Sequence, residues 1–431
     1  MKTSLIKILA ASALGFVASS WAQSGTYVPT NIASTPAALE AHQIQGEYVG
    51  VLSNGDTLGA WLMAKGANSY DLSLLPGGLV KIPGQAGGNW AGVTRYTGNA
   101  TWNSSTNAYA INTPSGYATT TITGTGYDRV LNGMTPQSVP FALTRVVRKS
   151  PTLGMKPKAS WSVGTSLDTA TSWFDSATAA ANSAGELAKW ANNGQNPQLK
   201  YNYLYRGVKT KATHGAGFLH IEAMSAFMPT ATGQGRGNSG VYLHSKYEAQ
   251  VLDSFGLIGA YDEMGSIYKV KIPRINSVLP PMTLQTYDIY FTPRTSGDNN
   301  TLAGAAVMTV YLNGVLVQDS TAVKNFTEAG ETSTQLVASA LALQNHSNEV
   351  FFNNIWFIPV KGPALTHRQL TQALPYESVL EHAGVPTSIS RAPGARGTLR
   401  SPSAANGRFD LIGRRLGEKL APQIVLPGLD R

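Results

Sequence analysis

Short strand-like runs, each closed by turn residues, constrain the fold of this 431-residue chain more than any other feature. Residues 48–52, 60–63 and 70–75 are apolar or alternating, and Gly, Asn or Pro soon follows each run. Runs of this length, separated by turn chemistry, are typical of antiparallel strands. The 44 Gly, 23 Pro and only 13% charged residues also argue against long helices or coiled coils. The sequence therefore predicts a mainly β protein.

Changes in composition along the chain predict several domains and connecting segments. Residues 23–149 are expected to form a small β domain, and the proline-containing stretch 150–160 a linker. Strand-like runs return from about residue 201, and their density predicts a β-sandwich over residues 161–362. Asn313-Gly314 is the clearest hairpin turn in that domain. Residues 363–431 are expected to be a basic, partly disordered tail, with a short amphipathic helix within residues 364–385.

One segment departs from the β pattern. Residues 168–192 are rich in Ala and place apolar side chains mostly three or four positions apart, with Asp168 as a possible cap. That spacing predicts one Ala-rich helix.

The N-terminus and the cysteine count bear on compartment. Residues 1–22 have a positive start, a short apolar run and a small-x-small site ending at Ala22, which predicts a signal peptide cleaved there. The expected location is the periplasm or the exterior. No later stretch is long and apolar enough to predict a transmembrane segment. The absence of Cys excludes a disulfide scaffold and a thiol nucleophile.

The formal net charge of +9 is concentrated in connecting stretches. Residues 145–211 contain 10 Lys and Arg against 3 Asp and Glu, and residues 361–431 contain 10 against 5. Neither stretch shows a helical basic stripe with interleaved aromatic residues, so no nucleic-acid partner is predicted. The basic tail could instead associate with the cell envelope.

The densest polar segment is residues 234–256, a glycine-rich loop followed by a predicted hairpin. A two-residue turn at Ser245-Lys246 would mix polar and apolar side chains on both faces. A three-residue turn through Tyr247 pairs His244 with Glu248 and puts polar side chains on one face and apolar side chains on the other. It is therefore the predicted register. It places Tyr242, His244, Glu248 and Gln250 on one open face, with Asp253 on the core side or in the next loop.

Each of these residues also has an ordinary structural explanation. Glu248 and His244 could be a solvated cross-strand pair, Asp253 a turn residue, and Arg236 a surface charge. His346 could be a loop histidine without a role. The His spacing excludes a zincin motif, and no Gly-x-Ser-x-Gly elbow is present.

Several motifs in order resemble the 3-keto-disaccharide hydrolase domain family, over roughly residues 160–360. The motifs that carry the resemblance are GNSGVY at 237–242, YEAQVLDS at 247–254, GSIY at 265–268, QTYDI at 285–289, LNGV at 312–315 and NIW at 354–356. Residues 46–50, 75–79 and 150–154 resemble the leader module of longer members.

The resemblance implies a concanavalin A-like jelly-roll sandwich acting on 3-keto-glycosides. The implied chemistry is removal of the sugar C2 proton, β-elimination of the C1 aglycone and hydration of the enone. The residues implied in catalysis are Glu248, Asp253 and His244. Those implied in substrate binding are Arg236, Asn238, Gln250 and Tyr268. A divalent metal of unknown identity, held by His346, Glu248 and Asp253, is also implied.

Two other functions stay open from the sequence. The same sandwich could be a carbohydrate-binding, lectin-like module without activity, because a fold does not fix a function. The chain could also be a structural envelope protein held by its basic tail.

Overall fold

The computed structural model describes most of the chain between residues 25 and 382. The described ranges are 25–27, 32–66, 68–85, 87–92, 94–103, 108–112, 116–158, 165–167, 173–175, 204–205, 208–296, 302–328, 330–331, 338–360 and 365–382. The predicted signal peptide and the tail after residue 382 lie outside them. No helix in these ranges combines the length and hydrophobicity that crossing a membrane requires.

The first eight strands form one antiparallel sheet. They are β1 (Gly46–Val51), β2 (Thr57–Ala64), β3 (Ser69–Pro76), β4 (Tyr96–Asn103), β5 (Ala108–Asn112), β6 (Ala118–Thr125), β7 (Asp128–Met134) and β8 (Pro140–Val146). Their order is β5-β4-β3-β2-β1-β8-β7-β6, so every pairing joins neighbours in the chain except that β1 also pairs with β8. The edge strands β5 and β6 contact each other, which curls the sheet into a barrel.

Apolar side chains fill the barrel. Alternation along β2 and β3 sends Leu62, Leu72 and Leu74 inward, where they share a buried cluster with helix α1 (Pro36–Ile44).

Four further short strands are β9 (Met155–Pro157), β18 (Thr295–Ser296), β19 (Leu302–Ala303) and β24 (Leu380–His382). Strand β18 pairs with β19, and β9 with β24.

Two further sheets, of seven and five strands, form the second part of the protein. The seven-stranded sheet contains β10 (Thr165–Ser166), β12 (Leu204–Tyr205), β14 (Gly217–Ser225), β17 (Gln285–Thr292), β20 (Ala306–Leu312), β21 (Val315–Val323) and β23 (Val350–Pro359). The five-stranded sheet contains β11 (Trp173–Asp175), β13 (Val208–Thr210), β15 (Ser239–Leu243), β16 (Tyr247–Val251) and β22 (Ala342–Leu343), in the order β11-β13-β22-β15-β16.

The two sheets share one hydrophobic core. Ile221 and Ile289 from the large sheet and Val241 and Ala249 from the smaller one belong to the same buried cluster. This is a β-sandwich, which confirms the predicted mainly β class and is consistent with a jelly roll. Trp61 joins that cluster from the outer side of the barrel, so β2 is buried on both faces.

Chain segments that precede and follow the sandwich in sequence cover the outer face of the seven-stranded sheet. Helices α2 (His367–Ala373) and α3 (Tyr376–Val379) pack there through Leu370 and Val379. Part of the predicted basic tail is therefore folded against the sandwich. The segment predicted as a linker is also packed, because Ser150 and Thr152 are buried and β9 pairs with β24.

Local predictions had mixed outcomes. Asn313 and Gly314 adopt φ values of 53° and 74° between β20 and β21, which confirms the predicted hairpin. The Ala-rich helix is wrong at residues 173–175, which form β11 paired with β13. Cross-strand pairing outweighs helix propensity at these positions. Residues 168–172 and 176–192 of that prediction lie outside the described ranges.

Candidate functional site

The hairpin at the candidate site has a register one step away from the predicted one. Leu243 pairs with Tyr247 and Tyr242 with Glu248, so the three-residue turn is 244–246 rather than 245–247. His244 and Ser245 occupy the turn with φ values of 56° and 57°. The predicted turn length of three residues was correct, and Tyr242 and Glu248 do share a face. His244, however, lies in the turn and not in the strand.

His244 therefore does not pair with Glu248. Its ring is buried, with Nε2 2.5 Å from the carbonyl oxygen of His214. The ring also packs edge-on against Phe291 at a centroid distance of 4.7 Å. The predicted His244–Glu248 pair is wrong, because a turn residue with positive φ does not follow strand alternation.

Glu248 lies on the edge strand β16, on the polar face of the five-stranded sheet. Its side chain is 2% exposed, and its Oε2 atom has no hydrogen-bond partner among the described residues. Burial raises the pKa of Glu248 to about 8, a hydrogen bond from Tyr242 opposes the rise, and the charge of Glu328 adds to it. A carboxylate with that pKa is a stronger base than an exposed one.

A small group of neighbours sets the position of this carboxyl. The side-chain amide of Gln344 donates to the Tyr242 hydroxyl at 3.1 Å, and that hydroxyl is hydrogen-bonded to Glu248. Gly240 lies beneath the carboxyl, since a Cβ there would collide with Oε1 of Glu248. We call Gly240, Tyr242, Glu248 and Gln344 the Glu248 patch.

Two loops bind the backbone of Glu248 at the edge of the sheet. The amide of Glu248 donates to Thr327 Oγ1 at 3.1 Å, and its carbonyl accepts from the amide of Tyr268 at 3.1 Å. Tyr268 is half-buried, and the charge of Glu248 contributes to its raised pKa after burial itself. The predicted substrate residue Tyr268 therefore borders the patch.

Asp253 and Arg236 are paired away from the patch. Arg236 Nε donates to Asp253 Oδ2 at 2.7 Å, and Arg236 Nη1 donates to the carbonyl of Ala64 on the barrel at 3.3 Å. Both side chains are buried. Burial raises the pKa of Asp253 and the Arg236 guanidinium opposes that shift. The pair connects the sandwich to the barrel.

The remaining predicted substrate residues belong to an amide network. Gln250 donates to Gln234 Oε1 at 3.0 Å and to the carbonyl of Asp262 at 3.2 Å. Asn238 donates to the carbonyl of Gln234 at 2.8 Å and to its side-chain oxygen at 2.9 Å. The buried Oδ1 atom of Asn238 has no partner within the described ranges, so this network retains one free acceptor.

The three predicted metal ligands are not brought together. His346 is exposed in the loop before β23, Asp253 binds Arg236 and Glu248 lies over Gly240. Within the part of the chain that the structure describes, no group of three His, Asp or Glu side chains could hold a metal. The described residues therefore do not form the metal site that the resemblance implies.

A second polar cluster, which the sequence analysis missed, lies on the outer face of the seven-stranded sheet. His220 Nδ1 donates to Asp288 Oδ1 at 2.6 Å, and His220 Nε2 is 3.7 Å from Glu222 Oε1. Burial alone would lower the pKa of His220, but Asp288 and Glu222 together raise it to about 9. Thr152 and Tyr376 both donate to Asp288 Oδ2, at 2.8 Å each.

This second cluster holds the covering segments in place. The amide of Gly154 donates to Glu222 at 2.6 Å, which ties the segment after the barrel to the sheet. Polar residues two apart in otherwise apolar strands, such as His220 and Glu222, were the pattern that could have revealed it.

Several solved structures match part of this chain. A protein from Parabacteroides distasonis ATCC 8503, provisionally described as a glycosyl hydrolase, is 24% identical, covers 50% of this chain and 94% of its own, and has a TM-score of 0.37. Two more from that organism, described in the same words, are 14% and 17% identical and have TM-scores of 0.25 and 0.26. Both matches cover 36% of this chain. They cover 74% of the first neighbour's own length and 84% of the second's.

The family comparison is more specific. No curated protein matches the chain. The model of the 3-keto-alpha-glucoside-1,2-lyase-like domain matches residues 173–358. That range contains the Glu248 patch, both flanking loops and most of the sandwich, and the match supports a carbohydrate-active enzyme. The resemblance predicted from the sequence motifs is thus confirmed, since residues 173–358 match the 3-keto-alpha-glucoside-1,2-lyase-like domain family.

Proposed function

We propose that this protein cleaves 3-keto-glycosides, with Glu248 as the base that removes the sugar C2 proton. One observation carries the proposal: a buried carboxyl, with one oxygen unpartnered in the described part of the chain and a pKa of about 8, lies on the polar sheet face. Perturbed ionisable groups of this kind are concentrated at functional sites.

The reaction needs a base and a stabiliser for negative charge. The 3-keto group acidifies the C2 proton, Glu248 takes that proton, and the electron pair forms the C1=C2 bond as the C1–O bond breaks. The aglycone leaves with the bonding electrons and takes a proton from solvent. Burial raises the pKa of Tyr268, which keeps its hydroxyl protonated and able to donate to the enolate oxygen at C3.

Hydration completes the net hydrolysis. Water adds to C1 of the enone, and C2 regains a proton, giving the free 3-keto sugar. If residues 1–22 are an export signal, the substrate is met outside the cytoplasm.

The test is a turnover assay with a nitrophenyl 3-keto-glucoside. The wild-type protein should release nitrophenol, and Glu248→Gln should slow release about 100- to 10,000-fold, because a general base contributes that much. The exposed Glu377→Gln variant is the matched control and should keep full activity. Full activity in Glu248→Gln would contradict the proposal.

Two further arms separate the alternatives. Binding of unoxidised sugar without turnover of the 3-keto-glucoside would favour the lectin-like module. Loss of turnover in chelator, restored by a divalent cation, would support the metal implied by the resemblance and would require ligands other than the predicted set.

A further inference from the structure

The loop that contains Thr327 is fixed against the candidate site by several hydrogen bonds. The Thr327 amide and hydroxyl both donate to the carbonyl of Lys246, at 2.9 and 3.0 Å, while the hydroxyl accepts from Glu248. Beyond it, the Glu331 amide donates to the carbonyl of Ser245 at 2.8 Å. This loop is therefore held along the free edge of the five-stranded sheet.

Glu328 follows Thr327 and is exposed to solvent. Because Thr327 accepts from the Glu248 amide at 3.1 Å, the chain at Glu328 runs beside β16, and its charge adds to the raised pKa of both Glu248 and Tyr268. Lys269, from the facing loop, lies 5.5 Å above the Tyr268 ring and pairs with Asp262 at 2.7 Å.

We propose that Glu328 accepts the proton of the water molecule that adds to C1 in the hydration step. This inference rests on the proposed function. The two carboxylates have opposite surroundings: Glu248 is buried, as removal of a carbon-bound proton favours, whereas Glu328 lies where water is available. Two nearby carboxylates in different environments are a common way to divide proton transfers within one site.

The proposed hydration step balances. The water oxygen forms a bond to C1, and the water proton moves to the Glu328 carboxylate. The C1=C2 electron pair shifts to C2 through the enolate, and Glu248, protonated in the first step, returns that proton to C2. The Glu328 proton then passes to solvent, and both carboxyls regain their starting states.

The experiment measures the two half-reactions separately in Glu328→Gln. Nitrophenol release reports elimination, and mass spectrometry of quenched samples reports the enone and the free 3-keto sugar. At about pH 9, where Glu248 is mostly deprotonated with or without the Glu328 charge, release should change little, while conversion of the enone should slow about 100-fold and the enone should accumulate. Glu331→Gln, in the same loop and paired with Lys209, is the matched control and should show neither change.

A second variant tests the role by chemical rescue. Glu328→Ala should also accumulate the enone, and added formate should restore hydration, because a small carboxylate can reach an exposed position. Wild-type hydration in both variants, or equal slowing of both half-reactions, would overturn the assignment. If the wild-type protein releases no nitrophenol, the proposed function itself fails instead.

Discussion

At the scale of single residues, the burial of Glu248 is the central fact. A carboxyl that is 2% exposed favours its neutral form, and a side-chain hydrogen bond from Tyr242 opposes that tendency. The same burial gives the carboxylate its basicity and makes the charged form costly to hold in the folded protein. Activity and stability should therefore respond to pH in opposite ways.

The pH dependence of kcat/KM follows from this residue. The base works only when deprotonated, so kcat/KM should rise with pH and level off above about 8. Because the Tyr242 hydrogen bond lowers the pKa of Glu248, Tyr242→Phe should move the rise to higher pH. Rate profiles of the two proteins test this, and an unchanged or lower midpoint in the variant would contradict it.

The folding stability of Glu248→Gln should vary with pH in a defined direction. Because the folded-state pKa of Glu248 lies above its ordinary value of 4.5, the wild-type protein loses stability as pH rises from 4.5 through about 8. Gln has no charge to bury, so the variant should melt higher than wild type at about pH 9 and nearly equally at about pH 4.5. Calorimetry at both pH values measures this, and a variant that melts lower at high pH would refute it.

At the scale of elements, the hairpin of β15 and β16 sets the site through its register. Leu243 opposite Tyr247 brings Glu248 beside Tyr242 and diagonally over Gly240. The absence of a side chain at Gly240 leaves the space that the carboxyl occupies. The flanking loops then fix the backbone at Glu248 from the open edge of the sheet.

Gly240→Ala should therefore reduce activity without changing the fold. Its Cβ would collide with Oε1 of Glu248 and lie 2.7 Å from Cε2 of Tyr242, which displaces the base from its position. We expect about a 10- to 100-fold loss in kcat, since small misplacements of a reacting group have large effects. Turnover and circular dichroism of the variant measure both quantities, and wild-type kcat with an unchanged spectrum would argue against this placement.

At the scale of the whole molecule, the barrel and the sandwich are joined by buried polar contacts as well as by apolar ones. Arg236 of the sandwich donates to the carbonyl of Ala64 on β2 at 3.3 Å, and His42 of α1 lies with Nε2 3.3 Å from the carbonyl oxygen of Pro281. Within the barrel, the buried Arg148 donates to Glu47 at 2.5 and 2.7 Å and to the carbonyl of Val80 at 2.6 Å. Trp61, which packs into the sandwich core, donates to the same Glu47 at 3.3 Å. The barrel and the sandwich should therefore unfold as one cooperative unit.

Breaking this buried ion pair should be costly. Arg148→Met leaves the Glu47 carboxylate buried and unpaired, so unfolding free energy should fall by about 3–5 kcal/mol. The double variant Glu47→Gln/Arg148→Met should recover part of the loss, because it buries no charge and Gln can still accept from Trp61. Denaturant unfolding of both variants tests this, and a single variant as stable as wild type would contradict it.

Much of the fold was predictable from short-range pattern. Alternation and turn residues predicted the mainly β class, the hairpin at Asn313-Gly314 and the shared face of Tyr242 and Glu248, since all three depend on residues close in sequence. The turn position was harder. A three-residue turn at 244–246 and one at 245–247 separate polar from apolar side chains equally well. The positive φ of His244 shows that the turn is at 244–246.

Local pattern was enough to predict that Glu248 shares a strand face with Tyr242. The partners of the polar side chains depended instead on long-range packing: Asp253 with Arg236 and the barrel, His220 with Asp288, and Thr327 with Glu248. The reason is physical. Strand periodicity is local, whereas ion pairing, burial and the resulting pKa values depend on which distant segments pack together, and no local pattern encodes those contacts.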